Sequence, residues 1–471
     1  MSGVAAPDGH DGVEIEITSL GSHGEGVGRL DGLAVFVAGA FPGERVRVAL
    51  DERRERFARA RLVTLVRPSP DRRIPPCPVA ERCGGCPLMA LAPSAQRRLK
   101  RARLIESLRR IGALGPTLVE DVLSRGDPDG LAYRAKAAMP VAADGAGLRV
   151  GFYARGSHVL VEAGHCAVTD PRARAIVAGV RQSAIDAALE AYDEGTGRGL
   201  LRHIIVRVAV GTEDALALVV TAHAARREMA RFADQVRVRL PALTLLAESV
   251  QGARTNRILG EGPAQVLFGP ERIEERVGPL RLALSPTAFF QVNPVVAEAM
   301  YARAVAELGL GGGESVVDAH AGVGAIGLWA AAAGAGRVVG FETVPAAVDD
   351  ARHNARLNGL RAEFALGPAE RLYAERYASG PGPDAVVLDP PRAGAHPALL
   401  AALLAAPPAR LVYVSCSPET LARDLGRLVG GGVFRLERVV PVDLFPQTAH
   451  LEAIAVLART GTHAPGASAH R

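Results

Sequence analysis

The sequence predicts a multidomain chain: a small OB-like β-barrel first, an α+β middle region that carries most of the cysteines, and a doubly wound α/β domain at the C-terminal end. Three observations predict it. Short strands separated by glycine turns fill the stretch from about Val13 to Val66. A proline-rich link and an uneven cysteine triplet then interrupt the chain between residues 67 and 86. From Pro286 onward apolar strands alternate with helical stretches, and three of those strands end in chemically loaded residues. The expected domains are 1–68, 69–285 and 286–460, followed by a disordered tail over 461–471. With 471 residues the chain is long enough for two or three cores of ordinary size.

In the first segment Val13-Glu-Ile-Glu-Ile17 and Glu44-Arg-Val-Arg-Val48 alternate, and Ala34-Val-Phe-Val37 is an apolar run. A period of two puts the apolar side chains on one face of a strand. The loop from Gly21 to Gly28 is too rich in glycine for a helix. Arg53, Arg54, Arg56 and Arg59 gather at the following turn. There they suit single-stranded nucleic acid, as on other barrels of this type, or simply solvent. Arg67-Pro-Ser-Pro70 and Pro75-Pro76 close the domain. A helix is expected over 94–111, then strands over 148–152, 204–208 and 216–220, which gives the middle region its α+β character.

Hydrophobic residues make up 48% of the chain and charged residues 22%, the balance of a soluble protein, and no apolar run is long enough to cross a bilayer. The first dozen residues are polar and acidic, unlike a secretory signal. A cytoplasmic protein is expected, with no membrane partner and no sign of an obligate protein partner. The net charge of +5 admits a polyanion. Lys100 and Lys136 are the only lysines, so the positive charge is almost wholly arginine, a bias that genome composition explains as well as function does.

Five cysteines in a cytoplasmic chain read as ligands, catalysts or buried small hydrophobes rather than disulfides. Cys77, Cys83 and Cys86 fall close together with two glycines between the last two, and Cys166 is available as a fourth ligand. Structural zinc more often uses two separate Cys-x2-Cys pairs. The uneven triplet leans towards iron–sulfur ligation, with a four-thiolate zinc site as the competitor.

In the last domain, Glu314 to Gly327 reads as an apolar strand, a glycine turn and the start of a helix. Gly322, Gly324 and Gly327 let a ligand approach the backbone. The next strand ends in Glu342, placed to accept both hydroxyls of a ribose. A nicotinamide dinucleotide would use the same pair, but S-adenosylmethionine fits better with the motifs at the ends of the later strands. Asp384-Ala-Val-Val-Leu388 delivers Asp389, fixed by two prolines, to the same crevice, and Leu411-Val-Tyr-Val414 delivers Cys416. Uracil C5 is a poor nucleophile until a thiolate adds at C6, and a base must then take the C5 proton. Isolated, Cys416 would read as an inert buried thiol. Beside Glu342 and Asp389 it reads as a nucleophile, and Glu452, next to His450, is the candidate base.

Together with Phe289-Phe-Gln-Val-Asn-Pro294, these motifs resemble the RNA uracil-5-methyltransferase family, and within it the iron–sulfur members with an N-terminal TRAM domain. The resemblance spans roughly residues 13–458. It implies a Rossmann-like class I methyltransferase domain that uses S-adenosylmethionine, and a [4Fe-4S] cluster on Cys77, Cys83, Cys86 and Cys166. It implies that Cys416 is the nucleophile and Glu452 the base. Gln291, His320, Gly322, Glu342 and Asp389 would line the cofactor site, with Gln291 and Asp389 near the target base. Where the family has an aromatic followed by Cys or Ser, this chain has His320-Ala321, so imidazole replaces an aromatic cofactor contact. The architecture resembles the ribosomal branch, which makes 23S ribosomal RNA the expected partner and transfer RNA the alternative.

Three other functions compete. Cytosine-5 methylation resembles a two-cysteine catalytic domain, whereas only Cys416 lies in this one. Methylation of an exocyclic amine needs no thiol. A relic methylase fold that only binds RNA would show cofactor and RNA binding without turnover.

Overall fold

The computed structural model describes residues 12–115, 118–145 and 147–461; apart from Gly461, the expected disordered tail lies outside them. The chain divides into two compact units. One takes in the chain up to Arg103 with Tyr153–Val161 and Phe445–His450; the other holds Leu104–Phe152, Glu162–Leu444 and the residues from Leu451 on.

In the first unit β1 (Val13–Leu20), β2 (Gly26–Leu30), β3 (Leu33–Val37), β4 (Arg45–Arg53) and β5 (Phe57–Arg67) close into a barrel of order β1-β2-β3-β5-β4. Alternate residues supply its core, among them Ile15, Ile17, Val35, Val37, Val46 and Val48. The arginine cluster sits at the β4–β5 hairpin, where Arg54 and Arg59 face Glu52 and lie over the Phe57 ring. Such exposed pairs add less than about 1 kcal/mol. The wholly buried Glu44 is different: Arg72 donates to its two oxygens at 2.6 and 2.8 Å, so the linker after the barrel is pinned to it. Helix α1 (Pro93–Arg110) follows.

The four cysteines do not form the expected cluster. Among the described residues, no three histidine, cysteine or acidic side chains are gathered so as to hold a metal ion. Cys77, Cys83 and Cys86 belong to the first unit and Cys166 to the second. The local structure supplies the reason. Cys83 lies in a turn, with its amide bonded to Val79 O at 2.8 Å and its sulfur accepting from Gly85 N at 3.4 Å. Gly84 lets the chain pass close to another segment, because a Cβ there would come within 3.1 Å of Tyr153 O. The glycines between Cys83 and Cys86 thus serve a turn and a close backbone approach rather than a wrap around a metal. The iron–sulfur reading of this region, and the metal-binding role given to it, are corrected accordingly.

The second unit contains two large sheets. The first comprises β6 (Lys136–Asp144), β7 (Gly147–Tyr153), β8 (Leu160–Glu162), β9 (Leu201–Val208), β10 (Ala215–Thr221), β11 (Leu245–Val250) and β12 (Gln265–Phe268), in the order β12-β11-β10-β9-β6-β7-β8. Helices α2 (Pro171–Asp186) and α3 (Arg226–Arg239) bury Val177, Val180, Phe232 and Val236 against it. A hairpin of β13 (Ile273–Val277) and β14 (Leu280–Leu284) leads to the second sheet.

That sheet is built from helix–strand repeats: α4 (Pro294–Ala306), β15 (Ser315–Asp318), α5 (Ala325–Ala332), β16 (Arg337–Glu342), α6 (Pro345–Leu357), β17 (Ala362–Leu366), α7 (Ala369–Arg376), β18 (Ala385–Leu388), α8 (Pro397–Ala405), β19 (Arg410–Ser415), α9 (Pro418–Gly430), β20 (Phe434–Val442) and β21 (Glu452–Arg459). Its order is β17-β16-β15-β18-β19-β21-β20, with β21 antiparallel to both neighbours. The order reverses between β15 and β18, which is where a doubly wound sheet opens its crevice at the strand C-termini. No helix among the described residues is long and apolar enough to cross a membrane.

One contact fixes the approach to that crevice. On β14 and just beyond it, the amides of Arg281, Ala283 and Ser285 donate to Asn358 (2.9 Å), Asn354 (2.7 Å) and Asp350 (3.1 Å) of α6 and its C-cap. The periods match. Four residues of helix rise about 6 Å and two residues of strand about 6.6 Å, so one polar stripe satisfies one edge of the strand. Asp350 is fully buried and also accepts from Arg272 Nε and Ser285 Oγ, both at 2.7 Å. Replacing Asp350 with alanine leaves a guanidinium and a hydroxyl without their acceptor. A loss of about 3 kcal/mol is expected, read as a lower midpoint in chemical denaturation; an unchanged midpoint would show that the stripe is ornamental.

Candidate active site

The glycine turn after β15 shapes one wall of the crevice. Gly324 caps α5 with φ +87°, in the left-handed region that disfavours a side chain. Gly327 lies where a Cβ would meet the Asp318 carboxylate at 3.1 Å. Instead its amide donates to Asp318 Oδ2 at 2.9 Å. Asp318 is buried, its other oxygen has no hydrogen-bond partner, and burial raises its carboxyl to about 7.

Glu342 ends β16 facing this turn. Gly322 N donates to one of its oxygens at 2.9 Å, while Thr343 N and Val344 N hold the other at 2.6 and 2.8 Å. The carboxylate is therefore oriented in advance and keeps lone pairs free for hydroxyl donors. A cavity of about 450 Å³ opens beside it, lined by His320, Glu342, Pro368, Pro391 and His396 among others. His320 is pushed down to about 4 by burial, so it is neutral at pH 7, and its Nδ1 has no partner. An oriented acid and two unpartnered buried polar atoms, Asp318 Oδ1 and His320 Nδ1, fit a polar nucleoside in this wall.

The second cluster sits at the ends of β18, β19 and β21. Cys416 follows β19 directly, because Ser417 takes the N-cap of α9 and turns the chain into the helix by accepting from Thr420 N at 3.4 Å. Asp389 follows β18, and Glu452 opens β21, 3% exposed. The three groups feel one another. Burial first, then the charges of Glu452 and Asp389, push the Cys416 thiol up to about 11, against a counter-pull from Arg392. Burial and Asp389 hold the Glu452 carboxyl well above the usual carboxylate range. Burial and Asp318 raise Asp389 to about 7. In the free site these carboxyl groups therefore retain protons that ordinary ones would lose.

Gln291 is brought to the same place by a different route. Asn293 caps α4, accepting from Val296 N at 3.3 Å and donating to Leu444 O at 3.1 Å, which fixes the preceding loop. The buried Gln291 side chain lies close to the hydroxyl of Tyr301 on α4, and that hydroxyl lies within the fields of Asp389, Glu452 and Asp318. The sequence reading missed Tyr301. Its ring packs edge-on to Trp329, with centroids 6.4 Å apart, and along the sequence it is one apolar residue of an apolar helix. Its hydroxyl could have been found only by asking what a buried tyrosine bonds to.

Known proteins resemble this chain in sequence and in fold. A family profile described as TRAM domain matches residues 12–63, and one described as tRNA (Uracil-5-)-methyltransferase matches residues 375–460. The chain is similar to an uncharacterised RNA methyltransferase of Halalkalibacterium halodurans, 37% identical over 97% of this chain and 99% of that protein. It is equally similar to one of Caldanaerobacter subterraneus, 37% identical over 95% and 98%. Among solved structures it resembles the Pyrococcus abyssi tRNA (uracil-54, C5)-methyltransferase in complex with S-adenosyl-L-homocysteine. The TM-score is 0.75 at 28% identity, over 94% of this chain and 99% of that one.

Proposed function

We propose that this chain, which belongs to the family of TRAM-containing, S-adenosylmethionine-dependent RNA uracil-5-methyltransferases, takes transfer RNA as its substrate and uses Cys416 as its nucleophile. The observation that carries the chemistry is the thiol at the end of β19 set among Glu452 and Asp389. The likeness to the Pyrococcus abyssi enzyme over nearly the whole of both chains supports transfer RNA, in place of the ribosomal RNA expected from the sequence.

S-adenosylmethionine, when bound, supplies an electrophilic methyl group, and Glu342, His320, Gly322 and Asp318 would hold it. The rest is the work of the protein on the base. The Cys416 thiol gives its proton to solvent, the resulting thiolate bonds to C6 of uracil, and the C5–C6 electron pair moves into an enolate at O4. C5, now nucleophilic, takes the methyl group. Glu452 removes the C5 proton; the released pair re-forms C5=C6 and expels the Cys416 thiolate. Glu452 must first give up the proton that burial and Asp389 lead it to keep in the free site; as a carboxylate of raised pKa it is then the stronger base for this carbon acid. Gln291 and Asp389 would orient the base.

The test is methyl transfer from labelled S-adenosylmethionine into unmodified transfer RNA and ribosomal RNA offered separately, with nucleoside analysis of each product. Label in 5-methyluridine from transfer RNA is the expected result. The same nucleoside from ribosomal RNA alone would overturn the substrate, and label in another nucleoside would overturn the chemistry.

A further inference from the structure

Beside the catalytic loop the second unit carries a group of cations that methyl transfer itself does not use. Lys136, on β6, lies directly opposite Arg207 on β9 in the sheet register. Arg134 stands two residues before Lys136 and reaches back to donate to its carbonyl at 3.1 Å. Like charges opposite one another in a sheet repel and are disfavoured unless something between them compensates. The charges that act on Lys136 are Arg207 and Arg134, both of its own sign. Glu275 is the carboxylate that bears on Arg207, and it already accepts the amides of Val210 and Gly211 at 2.9 and 2.7 Å. Arg207 is 4% exposed, and its Nε has no hydrogen-bond partner.

The group is joined to the loop that carries Gln291. Arg207 Nη2 donates to Ala288 O at 2.8 Å, and the guanidinium lies 5.9 Å from the centre of the Phe290 ring. Next to Lys136, Ala135 N donates to Val292 O at 2.7 Å. The strand that bears the cations and the loop that bears Gln291 therefore hold one position. Lys136 is partly open to solvent, so a ligand can reach it.

We propose that Lys136, Arg134 and Arg207 form a seat for a backbone phosphate of the RNA, adjoining the nucleotide whose base enters the crevice beside Gln291. The proposal rests on the reading of this chain as an RNA methyltransferase and deepens it. A phosphate at the partly open Lys136 and Arg134 supplies a counter-charge to the group, with Arg207 buried behind them, and it places the target nucleotide by its backbone while leaving its base free. Burial, with Arg207 and Arg134 beside it, holds the Lys136 amine down to about 7 in the free protein. A phosphate favours the charged form, so RNA binding takes up a proton there and weakens as pH rises above about 7.

The experiment measures binding of the full chain to unmodified transfer RNA and ribosomal RNA transcripts, as a function of salt and between pH 6 and 9, for wild type, Lys136→Met and Lys136→Arg. S-adenosylmethionine binding of each variant confirms that it folds. Lys136→Met is expected to bind RNA about five- to ten-fold more weakly, with a salt slope lower by about one. Lys136→Arg is expected to keep both the affinity and the slope but lose the pH dependence. A folded Lys136→Met with unchanged affinity and slope would overturn the seat. A Lys136→Arg that loses affinity as Lys136→Met does would also overturn it, since a packing role then explains both. The functional reading fails separately: wild type would then form no 5-methyluridine in either transcript, whatever the binding results.

Discussion

Cys416→Ala is expected to lower 5-methyluridine formation by roughly four orders of magnitude or more while leaving S-adenosylmethionine binding nearly unchanged. The size comes from the chemistry. Without a sulfur at C6 no enolate forms, and C5 of an intact uracil has too little electron density to take a methyl group, so no weaker version of the same path remains. Cofactor binding survives because the oriented Glu342 and the glycine turn belong to β15 and β16, whereas Cys416 follows β19. The direct check is RNA containing 5-fluorouridine, in which fluorine blocks the last proton removal. Wild type should form a denaturation-stable protein–RNA adduct and Cys416→Ala none. Activity within ten-fold of wild type in the variant would end the thiol mechanism.

The second large effect separates the two halves of the reaction. Glu452→Gln keeps the volume of a side chain that is 3% exposed but cannot accept the C5 proton. Turnover should fall by about 10²- to 10⁴-fold, yet the first half should proceed. Glu452 retains its proton in the free site, so the neutral amide puts no new charge beside Cys416 and does not hinder attack by its thiolate. The expected product is a stoichiometric protein–RNA adduct that already carries the transferred methyl group. A variant that turns over slowly without accumulating the adduct would show that Glu452 acts before methyl transfer, or not at all.

The barrel and the C-terminal α/β sheet were legible because each rests on a local rule. Alternation in Val13-Glu-Ile-Glu-Ile17 sets which side chains enter a barrel. Apolar runs ending in Asp318, Glu342, Asp389 and Cys416 read as parallel strands because strands covered on both faces are apolar throughout. The same logic showed that these residues share one edge of one sheet. The cysteine triplet misled for a physical reason. Spacing states which thiols can meet, but here the glycines meet the demands of a turn and a nearby backbone. Tyr301 and the cations around Lys136 were invisible because they depend on pairing between segments far apart in sequence. Arg207 lies opposite Lys136 through register alone, and Gln291 finds Tyr301 only once α4 has wound.

The stripe Asp350, Asn354, Asn358 works like the teeth of a rack meshed with a strand. Its evolutionary consequence concerns length more than identity. Replacing one tooth removes the contacts of that residue alone, whereas inserting or deleting a single residue between positions 350 and 358 turns every later tooth by about 100° around the helix axis, away from the strand. Across descendants of this chain, the segment should therefore drift in sequence on its outer faces while its residue count stays frozen. Gaps in alignments should fall in the loops on either side, where no meshing sets the count.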